Sequence, residues 1–535
     1  AQFHIITFNT MKLVLLGFFL FSMVSCSLSA RILVMAPFPG KSHYIFVSAV
    51  VKALHQRGHH IVEYSPYPPS KPLANFTHVE IHTSFEEENK NWTFEQFALI
   101  AKISNSQWPN IFGFLNVWWM TKKVCADTFQ HENVKKLLKS DEHFDLVITE
   151  STFGQESLLV FGHRFGAPTV TLQGFACVAA LNRDAGNALS IASIPDVASL
   201  VATDQMSFVE RLFNLVTTLS SLLLYYNYEL PMQDNILREH YGQDAPSIGD
   251  LVGNVSLYLI NSHPAVEYPR PYTPNIVPIA GITMSPDRTP LPKDLKKFMD
   301  EAKDGVIYFS LGTVVPVHIL PQELLQAFVN AFRKLPQRVV WKIEMESLPN
   351  LSKNVMLTKW VPQPGVLAHP NCVLFMTHGG AFSQQEAIQA GVPTVGIAFF
   401  GDQPANVRFA EHRGIGARLA FDTISEETIS AAVNKVLKNP RYKENVQRLS
   451  HIFRDRPMSP ADSAVFWVEY VLRHGGAHHL RSAATRLSWY QLALLDILGV
   501  IVAVMIILSL ALRMIWSLVF GKKGQKNTST SKKKN

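Results

Sequence analysis

A chain of 535 residues is too long for one hydrophobic core and points to about two domains. With 47% hydrophobic and 17% charged residues it is globular rather than disordered. Its net charge of +7 is not a nucleic-acid-binding surface. Lys522, Lys523, Lys526, Lys532, Lys533 and Lys534 carry six of those charges at one end and leave about +1 for the rest.

Residues 1–10 precede Met11 and read as untranslated sequence. From Met11 come Lys12, an apolar run Leu13–Val24 and small residues Ser25–Ala30, the pattern of a secretory signal peptide over 11–29. Arg31–Ala36 reads as a buried strand, with a loop to His43, a helix to Arg57 and a strand Ile61–Ser65 after Gly58. Gly40-Lys41-Ser42 imitates the end of a phosphate-binding P-loop. Met35 stands where that motif needs glycine, and Pro37 and Pro39 lack the N–H groups of a phosphate cradle. A nucleoside triphosphatase is excluded, and the absence of G-x-G-x-x-G argues against a nicotinamide or flavin enzyme. His43, just past the carboxyl end of the first strand, is a candidate for proton transfer.

Residues 84–120 are dense in aromatics, among them Phe85, Trp92, Phe97, Trp108, Trp118 and Trp119. Two readings stand side by side: helix packing, or an apolar acceptor pocket or membrane patch. Phe144–Glu150 is a further strand. Its carboxyl end carries Glu150, the better partner for His43, with Asp127 in reserve. Ala167–Leu172 is another strand. Residues 186–245 read as helical, and Phe208–Leu224 is expected to wall an acceptor site. Leu257–Asn261 and Ile276–Ile279 close a first domain over 30–285, and Pro286–Pro292 reads as a linker.

A second domain, 286–475, opens with strand Gly305–Phe309 and the turn Ser310-Leu311-Gly312-Thr313. A helix Gln322–Leu335, a strand Val339–Ile343, an extended Asn354–Thr358 and Trp360-Val361-Pro362-Gln363 follow. The organising stretch is Phe375–Gln403. A buried strand ends in Thr377-His378-Gly379-Gly380, a helix runs Ala381–Ala390 with Gly391 placed to cap it, and a strand leads to Gly401-Asp402-Gln403. A helix start after two glycines suits a phosphate, and Ser383 and His378 add donors. Glu386, one turn deeper, repels phosphate but suits vicinal sugar hydroxyls, and Asp402 and Gln403 offer a second hydroxyl-binding group. The stretch asks for sugar, diphosphate and sugar in sequence. Residues 425–475 are helical.

Trp489–Leu512 is nearly all apolar and exceeds the ~20 residues that span a bilayer. A transmembrane helix is expected over 488–513, with a lysine-rich cytosolic tail over 514–535 and the body in the lumen. Lys532-Lys533-Lys534-Asn535 fits a dilysine retrieval signal. Asn75, Asn91, Asn254 and Asn350 are glycosylation sequons. After leader removal Cys125, Cys177 and Cys372 remain, too few for a disulfide framework.

The run T-H-x-G-x-x-S-x-x-E, then G-V-P, then D-Q, from Thr377 to Gln403, resembles the signature of the UDP-glycosyltransferase family in its animal membrane-bound branch. Ala398 and Thr394 depart from the usual residues. The resemblance covers nearly the whole chain and implies an α/β fold of the GT-B type: two Rossmann-like domains facing a cleft, with a C-terminal transmembrane helix. It implies a UDP-sugar on the second domain, held by Ser310, Gly312, Thr313, Trp360, Val361, Gln363, His378, Gly380, Ser383, Glu386, Asp402 and Gln403, with uracil stacked on Trp360. The family keeps its base in a Ser-His pair, matched by Ser42-His43, and an aspartate where this chain has Glu150. It implies inverting transfer to small lipophilic acceptors with no cofactor and no metal, and no D-x-D occurs. The wording is most like insect members, which use UDP-glucose; glucuronate users share Asp402-Gln403. It also implies an endoplasmic reticulum membrane protein active in detoxification. Two alternatives stand beside this: a ceramide or lipid glycosyltransferase, and a silent member that binds lipophilic ligands or partners active relatives. Homo- or hetero-oligomerisation stays open.

Overall fold

In the computed structural model the described residues are 29–85, 92–106, 111–151, 154–175, 178–199, 201–284, 290–313, 315 and 317–521. The expected signal peptide as far as residue 28, Asn91, Trp108, Cys177, most of the expected linker Pro286–Pro292 and the lysine-rich tail lie outside them. The chain divides into two units, Ala1–Ser482 and Ala483–Asn535.

The first unit holds two all-parallel sheets. Strand β1 (Arg31–Met35) leads into helix α1 (Lys41–Gln56), and β2 (His60–Ser65) and β3 (Phe76–Glu80) follow. After helices α2 (Phe94–Ser104) and α3 (Ile111–Gln130) come β4 (Leu146–Thr149) and β5 (Thr169–Gln173). Helix α4 (Phe208–Leu224), a π-helical turn Tyr225–Glu229 and α5 (Leu230–His240) precede β6 (Leu257–Ile260) and β7 (Ile276–Pro278). The strand order is β3-β2-β1-β4-β5-β6-β7. Along β1, Leu33 and Met35 enter one core while Ile32 and Val34 enter another, on the opposite face. Burial on both faces is why these strands read as unbroken apolar runs.

The second sheet is built from β8 (Val306–Ser310), β9 (Arg338–Lys342) and β10 (Val355–Thr358), with α6 (Gln322–Arg333) between the first two. After the short α7 (Gln363–Leu367) come β11 (Cys372–Thr377), α8 (Ala381–Ala390), β12 (Thr394–Gly396), α9 (Gln403–His412) and β13 (Gly416–Arg418). Its order, β10-β9-β8-β11-β12-β13, repeats the logic of the first. Helix α8 has the bounds expected from sequence, and Gly391 closes it in the left-handed conformation (φ 65°). Two strands escaped the reading: β3, a half-exposed edge without an apolar run, and β13, only three residues long.

Helices α10 (Glu426–Leu437), α11 (Pro440–Arg454) and α12 (Pro460–Arg473) complete the unit. Ala464, Val465 and Val468 of α12 pack into the core formed by Phe46, Val47 and Val50 of α1, so the chain returns to the first sheet. A second tie runs the other way. Phe97 of α2 is fully buried against Phe399, with ring centroids 5.1 Å apart, and Asn105 donates to the Ala398 carbonyl at 2.9 Å. The aromatic-rich stretch thus splits: Phe97 packs on the second half, Trp118 in the first core, and Trp119 is exposed. Helix α4, expected to wall an acceptor site, turns Phe208, Leu212, Val216, Leu219 and Leu223 outward and buries Asn214, which donates to the Ile191 and Ile194 carbonyls at 2.7 and 2.8 Å.

The second unit contains helix α13, Leu495–Phe520, of mean hydropathy 2.8 and long and apolar enough to cross a membrane. Its bounds correct the expected 488–513. Leu494 adopts a left-handed conformation (φ 53°) that separates it from the turn Trp489–Leu492, and nothing between Arg513 and Phe520 breaks a helix. Arg513 therefore lies inside the helix rather than after it.

Candidate active site

In each sheet the strand order reverses beside one pair, β1/β4 in the first and β8/β11 in the second. Loops leaving the carboxyl ends of such a pair diverge and leave a crevice. Most of the residues singled out in sequence come from these four strand ends; Trp360, Val361 and Gln363 follow β10, and Asp402 and Gln403 follow β12.

His43 sits in the first turn of α1, after β1, and Glu150 directly follows β4. His43 Nδ1 lies 2.6 Å from Glu150 Oε1, and Glu150 is buried. The extra methylene of glutamate is accommodated without loss of contact. Asp127 is elsewhere: its Oδ2 accepts from the Ser84 amide at 2.7 Å and hydroxyl at 2.5 Å. Burial disfavours charge on His43, but the Glu150 carboxylate, its hydrogen bond and the charge of Asp402 outweigh that and raise the imidazole pKa. The influence of Asp402, at the start of α9, brings the second half to the dyad. Gly174, after β5, is confined by the pair: a Cβ there would lie 3.2 Å from both Glu150 Oε1 and His43 Nδ1. Phe38 lies edge-on to His43 at 5.3 Å and stacks on Phe85 at 6.1 Å, which gives the dyad an apolar flank.

On the second sheet Ser310, at the end of β8, accepts from the Gly312 amide at 3.2 Å and so braces the turn, while Thr313 is exposed. Gly312 has φ +76°, and a Cβ there would come within 2.5 Å of the His378 ring; Gly380 crowds the same ring at 2.6 Å. Only glycine suits both demands at 312. His378 is buried, and burial and nearby Lys342 depress its pKa to about 4, so the ring is neutral. Its Nδ1 has no hydrogen-bond partner in the structure.

One turn into α8 lies a network that sequence did not foretell. Gln363 Nε2 donates to Glu386 Oε2 at 2.5 Å and to Ser383 Oγ at 3.2 Å, while Tyr308 donates to Gln363 Oε1 at 3.0 Å. Burial raises the Glu386 pKa to about 7 against the opposing pull of Gln363. Trp360 is 65% exposed at the rim, and Val361 beneath it is buried.

The start of α8 differs from expectation. Asp402 Oδ2 accepts from the Ala381 amide at 3.1 Å and from Asn406 Nδ2 at 2.6 Å, so the first helical N–H is taken by a carboxylate rather than left for a phosphate. Gln403 is also partly committed, its Oε1 accepting from the Phe399 amide at 2.9 Å. Two further groups were missed. Asn406 holds the Gly379 carbonyl at 2.9 Å, and Lys342 Nζ donates to the Gly312 carbonyl at 2.7 Å. Burial lowers the Lys342 pKa. A lysine at the carboxyl end of a strand of the same sheet was the available signal. Among the described residues no three His, Cys, Asp or Glu side chains cluster as a metal site would require. Asn75, Asn254 and Asn350 are exposed, and Asn254 Oδ1 accepts from Arg481 at 3.2 Å.

Residues 30–528 match the family model described as UDP-glucoronosyl and UDP-glucosyl transferase. UDP-glycosyltransferase UGT5 of Dactylopius coccus is 35% identical over 94% of this chain and 95% of its own length. UDP-glucuronosyltransferase 2B33 of Macaca mulatta is 32% identical over 96% and 97% respectively. Among solved structures, a UDP-glucose: anthocyanidin 3-O-glucosyltransferase in complex with UDP superposes with a TM-score of 0.54 at 17% identity, covering 84% of this chain and all of that one. Spinosyn forosaminyltransferase SpnP gives 0.54 at 14%, covering 83% of this chain and 99% of that one. These likenesses establish the GT-B fold.

Proposed function

Because the chain belongs to the UDP-glycosyltransferase family and so transfers a sugar from a UDP-sugar to an acceptor, we propose that the sugar is glucose and the acceptor a small lipophilic alcohol or phenol, with His43 as general base. The observation that carries the proposal is the 2.6 Å contact between His43 Nδ1 and Glu150 Oε1, on the side of the cleft facing Asp402. With Nδ1–H donated to Glu150, Nε2 is the basic nitrogen that takes the acceptor proton. The acceptor oxygen attacks the anomeric carbon from the face opposite UDP, the glycosidic bond to phosphate breaks, and configuration inverts. Glu150 stabilises the imidazolium that forms.

Charge on the departing diphosphate is met by the neutral His378 ring, the Gly379-Gly380 backbone, the remaining first-turn N–H groups of α8 and Ser383. Lys342 adds a cation beside Gly312. Neutral His378 donates one hydrogen bond without a proton in flight at working pH. The scheme runs without a metal. Trp360 offers an exposed indole face for uracil, and the Gln363–Glu386 pair would exchange its internal hydrogen bond for ribose hydroxyls. Glucose rather than glucuronate follows the insect relatives, one of which, from Dactylopius coccus, is named UDP-glucosyltransferase 2. The Phe38–Phe85 flank beside His43 suits an apolar acceptor. We place the protein in the endoplasmic reticulum membrane, anchored by α13 with the catalytic body in the lumen.

The test uses microsomes expressing the chain, supplied with UDP-glucose or UDP-glucuronate and a panel of phenols. Glucoside formation that is lost in His43→Ala supports the proposal. Conjugation only from UDP-glucuronate refutes the sugar assignment, and turnover that survives His43→Ala refutes the base.

A further inference from the structure

Helix α1 carries His43 in its first turn, yet its own sequence does little to hold that turn. Helices α2, α4 and α10 open on Thr93, Ser207 and Ser425, whose side chains each accept from a first-turn N–H. Helix α1 opens on Gly40, with no side-chain cap and no acidic residue in its first turn. A helix start left in that state frays, and a frayed turn would carry the imidazole away from Glu150. The support comes instead from β2. Glu63 is fully buried on the face of β2 that α1 covers, the face from which Ile61 enters one core with Phe46 and Val50. Its Oε2 accepts from the hydroxyl of Tyr44, the residue after His43, at 3.3 Å. Tyr67, just beyond β2, adds three contacts to the same segment. Its hydroxyl donates to the Pro39 carbonyl, its ring lies against that of Tyr44 with centroids 4.9 Å apart, and the Lys41 ammonium stands over it at 5.7 Å. Residues on both sides of His43 are thus held from outside the helix.

We propose that Glu63, acting through Tyr44, is a positioning residue that keeps the turn bearing His43 in register with Glu150. The inference rests on the base assigned to His43 above. A carboxyl is costly at this place: it is buried, its Oε1 has no hydrogen-bond partner, and among the described residues no basic side chain forms an ion pair with it. An apolar side chain would pack on α1 without that cost but could not bond Tyr44. The carboxyl contributes direction, because a hydrogen bond selects one orientation of Tyr44 and with it the rotation of the first turn. Burial lifts the Glu63 pKa to about 7, although Tyr44 and Ser65 favour the ion. Besides His43, which is turned to Glu150, the titratable groups on the surrounding elements are Lys41 and Tyr44 of α1, His78 of β3 and Tyr67. Burial and Glu63 together keep the Tyr44 hydroxyl protonated, burial lowers the His78 pKa so that its ring is neutral at pH 7, and Lys41 is exposed above Tyr67. Glu63 is therefore the member of the clamp that changes charge near neutrality. Once ionised it accepts the Tyr44 hydrogen bond with charge assistance, and the turn is held most firmly.

The test measures kcat and both KM values of the full chain between pH 5.5 and 8.5, with kcat counted per calorimetric UDP-binding site and melting recorded beside it. Tyr44→Phe removes one oxygen; Glu63→Gln keeps an acceptor for Tyr44 and removes the charge. Tyr44→Phe is expected to lower kcat about threefold to tenfold with both KM values within about twofold, and adding Glu63→Gln to it should cost nothing further. Wild-type kcat should rise through about pH 7 in a step that Glu63→Gln abolishes. An unchanged kcat in Tyr44→Phe, even with a lower Tm, overturns the proposal, because the bond then only stabilises the fold. Losses that multiply in the double variant overturn it, as does an unaltered step in Glu63→Gln. If Glu63→Gln does not fold, Tyr44→Phe carries the test, since the step should vanish there too. His43→Ala separates the two readings. Turnover that survives it refutes the base and the clamp together, whereas a dead His43→Ala beside a fully active Tyr44→Phe refutes the clamp alone.

Discussion

Replacing Glu150 by glutamine keeps the size of the side chain and an oxygen that can accept from His43 Nδ1–H, but removes the charge. In the structure that charge is buried and bonded to the imidazole at 2.6 Å. A hydrogen bond to a charged group contributes about 1.5–3 kcal/mol, against roughly 1 for a neutral pair. In the transition state the imidazole becomes cationic, so Glu150→Gln is expected to raise the barrier by about 0.5–2 kcal/mol, a roughly twofold to thirtyfold loss of kcat/KM. The pH profile carries a second signature. Glu150 is the main group that raises the His43 pKa against the opposing effect of burial. Without it the acid limb of kcat/KM should move to lower pH, because a base of lower pKa stays neutral further into acid. The assay is UDP release from UDP-glucose with a simple phenol between pH 5 and 9, beside UDP binding as a folding control. Unchanged kcat/KM with an unmoved acid limb would refute the dyad. A fall in rate without any shift of the limb would mean that Glu150 only holds the loop in place.

Gly312→Ala puts a Cβ within 2.5 Å of the His378 ring at φ +76°; it should cost about 1–3 kcal/mol of stability and raise the KM for UDP-sugar while leaving that for acceptor unchanged, as scanning fluorimetry and steady-state kinetics can check. Trp360→Ala removes the exposed indole face and should raise the KM of every UDP-sugar about tenfold, with calorimetric UDP binding as the direct readout. Glu386 holds its proton to about pH 7 when folded and to about 4.5 otherwise. The native chain thus binds more protons than the unfolded chain within that window, and stability falls as pH rises through it. Glu386→Gln removes the penalty, so the Tm of the variant relative to wild type should climb between pH 5 and 8; a constant difference would contradict the burial argument.

The donor-site framework was legible because it is local. Strand, glycine turn, helix and acidic loop follow within thirty residues, and the periodicity that marks α8, with Gly391 at its end, is a property of neighbouring residues. His43 and Glu150 were legible as candidates because each follows the carboxyl end of a buried strand. Their pairing across 107 residues exists only because β1 and β4 are adjacent in the sheet. The long C-terminal helix was visible as an apolar run, but not its limits, since Leu494 breaks the helix through a backbone conformation that leucine does not advertise. Sequence by itself determined the buried strands and the helices between them, β3 and β13 excepted, and which residues follow the strand ends, since both follow from short-range pattern. Tertiary structure alone decided which groups meet: Asp402 on the Ala381 amide, Gln363 between Tyr308 and Glu386, Lys342 on Gly312, and Phe97 in the far core. It also decided which face of α4 turns outward, because an amphipathic pattern fixes a stripe and not its direction; that choice was made by the partners waiting for Asn214.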